Sequence, residues 1–284
     1  MKKEKKIPKE YAAIVTLTIF FTLVTVVGGF RIYSNLTQNA VQIDIDNLDV
    51  LELNNDVDFT RINLTLVNKL KEKYGIDIYY GGSINLTSVN ALNITDSERI
   101  FGMLKDLKIA FDKYPIGLIN EIEKEGYTVS IYLVDKFVNN IEALANRNTI
   151  GQFNIYLSDS LDIERAFHHE FYHILDYYIK LETVERYALW DKYNPEDFKY
   201  TNDINKITNK YVYNGQSGAH FVTMYAKYSE KEDRAETFAE MMTANKMEVF
   251  FNDGEYIRSK IDLIANVLKN TFETVRLEKS LAWE

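Results

Sequence analysis

Phe167-His168-His169-Glu170-Phe171-Tyr172-His173-Ile174-Leu175-Asp176 sets two histidines four residues apart, with a glutamate directly after the first of them. Four residues is just over one helical turn, so His169 and His173 project from one face and can aim ring nitrogens at a single metal ion about 2.0–2.1 Å away. This is the His-Glu-x-x-His pattern of a zinc hydrolase helix. Glu170 lies beside the pair, placed to accept a proton from a metal-bound water whose pKa the cation has lowered to roughly 7.

The surroundings read as helix. Asp159, Ser160 and Asp162 supply N-cap and first-turn residues, and Ala166, Phe167, Phe171, Ile174, Leu175 and Tyr178 recur at helical spacing. The chain holds 4 histidines, three of them inside this stretch, which argues against a chance match. His168 sits about 100° round the helix from His169 and is expected to be a packing or rim residue rather than a ligand.

At 284 residues and 46% hydrophobic content the chain is long enough for a sizeable core. A net charge of −9 leaves no basic stripe for phosphates, which argues against nucleic acid as a partner. Cysteine is absent, so disulfides, thiolate zinc sites and cysteine nucleophiles are excluded and any zinc must be held by nitrogen and oxygen. Lys2, Lys3, Lys5, Lys6 and Lys9 precede an uncharged run over residues 11–30. As a helix that run extends about 30 Å, the thickness of a bilayer's hydrocarbon core. The lysines favour a cytoplasmic start, so the expectation is a single-pass anchor with the rest of the chain outside the cell. The runner-up is a cleaved signal peptide and a secreted product.

Residues 31–60, with Asp44, Asp46, Asp49, Glu52 and Asp56, read as an acidic stalk. The patterns then predict a helix over 58–74 ending at Gly75, a strand over 76–80, a helix opened by Asp96 and Ser97 and continuing to about 113, and another over 115–125. Strands follow over 127–134 and 151–157, a sheet edge along which an extended peptide could align. Residues 181–218, rich in Tyr, Asn, Asp and Lys, read as an insertion with some helix, either a solvated connector or a wall of a substrate cleft. Residues 254–278 close the chain as one core helix.

Two histidines leave a catalytic zinc one protein ligand short. The run Tyr225-Ala226-Lys227-Tyr228-Ser229-Glu230-Lys231-Glu232-Asp233-Arg234-Ala235-Glu236-Thr237-Phe238-Ala239-Glu240 offers carboxylates on what reads as one helix, with Glu232 and Glu236 sharing a face and Glu236 and Glu240 likewise. Spacing alone leaves the choice between Glu232 and Glu236 open.

With these residues the chain resembles the lethal-factor-like gluzincins, which include the secreted Pro-Pro endopeptidases. The matching residues are His169-Glu170-Phe171-Tyr172-His173, Asp176, Tyr225, Glu232 and the run Ala235-Glu236-Thr237-Phe238-Ala239-Glu240. In that family a tyrosine precedes the ligand glutamate by seven positions and a second glutamate follows it by four, as Tyr225, Glu232 and Glu236 do here. The interval between His173 and Glu232 is longer than in the family. The resemblance implies one catalytic zinc on His169, His173 and Glu232, with Glu170 as base and Tyr225 as hydrogen-bond donor to the oxyanion. It also implies that Glu236, and as a second candidate Asp176, orient the ligands from outside.

The expected fold is α+β: a single-pass anchor helix, then a gluzincin-like domain with a small β-sheet followed by a mainly helical zinc-binding lobe. The expected segments are a cytoplasmic tail at 1–10, the anchor at 11–30, the stalk at 31–60, an α/β lobe at 61–157 and the zinc-binding lobe at 158–284. The expected activity is a zinc endopeptidase working on peptide or protein at the outer membrane face. A catalytically silent surface binding module and a cell-wall peptide amidase are the alternatives.

Overall fold

In the computed structural model, residue 48 and residues 58–283 are described, apart from 83, 140, 142, 149–150, 160–161, 183–186, 188, 215–217 and 244–253. The expected tail and anchor, and nearly all of the expected stalk, lie outside the described residues. Among the described residues no helix is long and apolar enough to cross a membrane.

Helix α1, Phe59–Tyr74, starts where the Asp58 carboxylate accepts the Arg61 N–H at 3.2 Å. It ends where Gly75, at φ 77°, turns left-handed and returns its N–H to the Lys71 carbonyl. Asp96 caps α2, Ser97–Phe111, through the Glu98 and Arg99 N–H groups. Helix α3, Leu118–Lys124, starts later than its sequence suggests, because Gly117 at φ 96° completes a turn after Pro115.

The sheet has five strands: β1 Asp77–Tyr79, β2 Ala91–Asn93, β3 Thr128–Phe137, β4 Ala143–Arg147 and β5 Gln152–Ser158. β3 is central, with β1 parallel along its first half and β2 antiparallel along its second. On its other edge β5 runs parallel, and β4 lies antiparallel outside β5. Ile131, Leu133, Ile155 and Leu157 are wholly buried on one face. On the other, Tyr79, Tyr132 and Tyr156 stack at 5.0 and 4.8 Å across three strands, and Leu86, Val89, Val134 and Phe137 pack beside Tyr156. Burial of both faces explains the nearly unbroken apolar character of β3 and β5.

Helix α4, Ile163–Glu182, follows β5 and carries the His-Glu-x-x-His stretch; the Asp162 carboxylate caps it by accepting the Arg165 N–H at 3.0 Å. Two single-helix expectations are corrected. Tyr225–Lys227 is a separate 3-10 turn, and α5, Glu230–Thr243, begins after Ser229, whose Oγ accepts the Glu232 N–H and whose carbonyl accepts the Asp233 N–H. The closing segment splits at Phe272, which is extended, into α6, Glu255–Thr271, and α7, Glu273–Leu277. The Glu121 carboxylate on α3 captures the Glu273 and Thr274 N–H groups and fixes that break. Nor is the 181–218 region simply a solvated connector: Trp190 is 1% exposed, in a short 3-10 turn, Trp190–Tyr193.

Candidate metal centre

Helices α4 and α5 pack antiparallel, and their facing residues meet in one cluster. His169 Nε2 lies 3.1 Å from Glu232 Oε2 and 3.2 Å from His173 Nε2, and His173 Nε2 lies 3.4 Å from Glu232 Oε2. A tetrahedral zinc with bonds of 2.0–2.1 Å separates its ligand atoms by about 3.3–3.4 Å. The three atoms therefore already sit on one face of such a tetrahedron, and this donor set could hold a metal ion. Neutral imidazoles meeting nitrogen to nitrogen need a shared proton or cation between them.

Glu236, one turn beyond Glu232, places Oε1 2.7 Å from His169 Nδ1. Its other oxygen accepts from Arg165 Nη2 and from Thr223 Oγ1, both at 2.7 Å. A carboxylate on Nδ1 keeps the proton there and leaves the Nε2 lone pair for the cluster. Burial disfavours charge on His169, but Glu232 and Glu236 outweigh it and lift its pKa to about 10. Burial likewise opposes ionisation of both glutamates, yet His169 and His173 hold Glu232 down to about 2, and His169 with Arg165 holds Glu236 there as well. The electrostatics thus favour a cation at this point.

Glu170 is buried beside His169 and His173. Burial raises its pKa, against the pull of His169, His173 and the Ala145 backbone N–H. Tyr225 is 40% exposed, with its ring 6.1 Å from that of His169 and stacked 5.7 Å from Tyr228. Burial, followed by the charges of Glu232 and Glu170, raises its pKa and keeps its phenol O–H as a donor near neutral pH. Thr223, which holds Glu236, also accepts the Ala226 N–H at 3.2 Å, so the Tyr225 turn is tied to the same carboxylate. These residues line a cleft of about 1150 Å³ whose opposite wall is β4.

A family described as "Putative zinc-binding metallo-peptidase" matches residues 108–274, more than half of the chain, including β3 to β5 and both helices that meet in the cluster. The chain belongs to this zinc-binding metallopeptidase family. It is also similar to the solved structure of a zinc-binding metallo-peptidase of the same description from Bacteroides caccae, at 20% identity and a TM-score of 0.48, covering 76% of this chain and 90% of that one. No curated protein matches the chain.

Within this metallopeptidase, the placement of Asp176 corrects an expectation. It lies on the His169 and His173 face of α4, but its two oxygens receive the Arg234 guanidinium fork at 3.0 Å each, so it braces α4 against α5 rather than orienting a histidine. His168 is a packing residue and not a rim one: it is wholly buried, its Nδ1 2.7 Å from the Tyr114 hydroxyl. His220 pairs with the Tyr193 carbonyl at 2.7 Å. Arg165, Thr223 and the Ala145 N–H escaped the sequence reading. Of these only Arg165, one turn before His169 on the same face, left a signal that spacing could have caught.

Proposed function

We propose that this metallopeptidase is an endopeptidase of the gluzincin type, in which His169, His173 and Glu232 hold one zinc ion. The observation that carries the reading is the triangle of two imidazole nitrogens and one carboxylate oxygen, with Glu170 buried beside it. A zinc ion held there supplies a Lewis acid that polarises the scissile carbonyl and acidifies water. Glu170 takes a proton from the attacking water and returns it to the leaving amine, a task suited to a carboxyl whose pKa burial has raised. Tyr225 donates its hydroxyl hydrogen bond to the oxygen that gains charge. Glu236 holds His169 in the tautomer that presents Nε2, and Arg165 and Thr223 hold Glu236.

The outer edge of β4 supports a peptide substrate, because apart from the Ala145 N–H beside Glu170 its outward N–H and C=O groups can pair with an extended chain along the cleft. Tyr225, Glu232 and Glu236 sharing one site supports the gluzincin reading of their intervals. The residue pattern of 1–30 supports an anchor with the site facing outward. Protease added to intact cells should then remove the domain from a membrane-bound stub, whereas release of a chain starting near residue 30–40 would favour secretion. The test of the activity is digestion of a mixed peptide library with and without chelator. Internal cleavages that vanish with chelator and return with zinc are expected; none with zinc bound would leave a binding module.

A further inference from the structure

We propose that the end of the cleft marked by Arg147 is a subsite for an acidic side chain of the substrate, on the amino side of the bond that is cut. The inference rests on the peptidase reading above and adds a substrate preference to it. Strand β4 pairs with β5 in antiparallel register, and just past its end the Asn148 N–H donates to the Gln152 carbonyl at 2.9 Å. Because such pairing alternates, Ala145 and Arg147 turn their backbone groups to the free edge. Ala145 lines the cleft together with Glu170, whose carboxyl its N–H draws down. A peptide laid along this edge passes Glu170 at Ala145 and reaches Arg147 about 7 Å further on. If it adds antiparallel, the stronger pairing, the residue opposite Arg147 precedes the scissile bond.

The Arg147 side chain is set for a carboxylate. Its guanidinium lies 4.4 Å over the Tyr177 ring and donates to the Tyr177 hydroxyl. Tyr177 is held in turn by edge contacts with Phe153 and Tyr127. Among the described residues no carboxylate pairs with Arg147, although it lines a cleft rich in acids. Those acids are engaged elsewhere: Asp176 by Arg234 and Lys180, Glu236 by Arg165, Glu232 by the histidines, Glu170 beside them, and Asp162 by the Arg165 N–H. Lys231 and Lys180 line the same cleft, Lys180 sharing Asp176 with Arg234 at 3.4 Å. Because α4 and α5 run antiparallel, with Arg234 on Asp176, both lysines fall toward the Tyr177 end. In a chain of net charge −9, this end of the cleft thus carries a surplus of cations. A planar guanidinium backed by a ring offers its fork to a carboxylate in two parallel hydrogen bonds.

The test uses the zinc-loaded full chain and matched peptides carrying Glu or Gln at each position around a site that the protein cuts. The expected result is a kcat/KM for Glu roughly fivefold above Gln at one amino-side position, shrinking at high salt. The preference should disappear in Arg147→Ala and invert toward Lys peptides in Arg147→Glu. Binding of the same peptides, labelled and read by anisotropy on Glu170→Gln, checks the subsite without turnover. Equal handling of Glu and Gln by the parent chain, or a preference on the carboxyl side alone, overturns the subsite and leaves the peptidase reading standing. Preferential binding of Glu peptides with no cleavage by any form sinks the peptidase reading and keeps the subsite.

Discussion

Glu232 and Asp233 are adjacent acids on α5, yet about 100° of helix rotation sends them into opposite surroundings. Glu232 faces the open cleft and meets two imidazoles. Asp233 is wholly buried and accepts from Trp190 Nε1 at 2.9 Å, Tyr200 Oη at 2.7 Å and Lys260 Nζ at 2.6 Å. Burial pushes the Asp233 carboxyl up while Lys260 pulls it down, and Lys260 also donates to the His220 carbonyl at 2.9 Å. One side of the helix therefore gathers groups that a cation can join. The other closes a charge pair that fastens the 190–200 segment and α6 to α5. The same residue chemistry serves binding in one place and assembly in the other, and accessibility decides which.

Substitutions on the two sides should separate cleanly. Glu232→Ala is expected to purify with little zinc and no measurable turnover while melting as a folded protein. Glu236→Ala, which removes an orienting partner only, should weaken metal affinity roughly 10–100-fold and recover zinc when it is supplied in excess. Equal zinc loss in both would erase the distinction between ligand and orienting carboxylate. On the buried side, Lys260→Met leaves the Asp233 charge without its counter-ion and should cost about 3–5 kcal/mol of stability in urea unfolding, with zinc stoichiometry intact while the chain is folded. A stability change within experimental error would show that the pair fastens nothing.

If Tyr225 serves the oxyanion as proposed, Tyr225→Phe should lower kcat by roughly 10²-fold with zinc content and melting temperature unchanged, since the residue is 40% exposed. The smallest effect concerns pH. Glu170 accepts a proton only when ionised, and burial raises its pKa above the ordinary glutamate value of 4.5. The acid limb of kcat/KM should accordingly lie above that value, with activity lost as pH falls through it; a limb below it would mean that another group is the base.

What the sequence made legible was local. Helix α4 announced itself through apolar spacing and an Asp162 cap, α1 through Asp58 and Gly75, and the Glu232 to Glu236 interval put both carboxylates on one face. What it hid depends on distant partners. Ala143-Leu144-Ala145-Asn146-Arg147 has helix-forming composition and becomes a strand because β5 offers a free edge in register. Asp176 looked like a companion of His173, being one turn away; its actual partner, Arg234, comes from α5 and could be found only once the helices were packed. The break at Ser229 was equally hidden, because a serine within a charged run reads as helix until its hydroxyl is seen capping Glu232.

The central claim is that Glu170 performs the chemistry on a centre built by its neighbours, and paired measurement of zinc content and peptide turnover in Glu170→Gln tests it most directly. The account predicts zinc stoichiometry equal to that of the parent chain, with turnover reduced by roughly 10²–10⁴-fold. Parent-level cleavage by Glu170→Gln with zinc bound would contradict it.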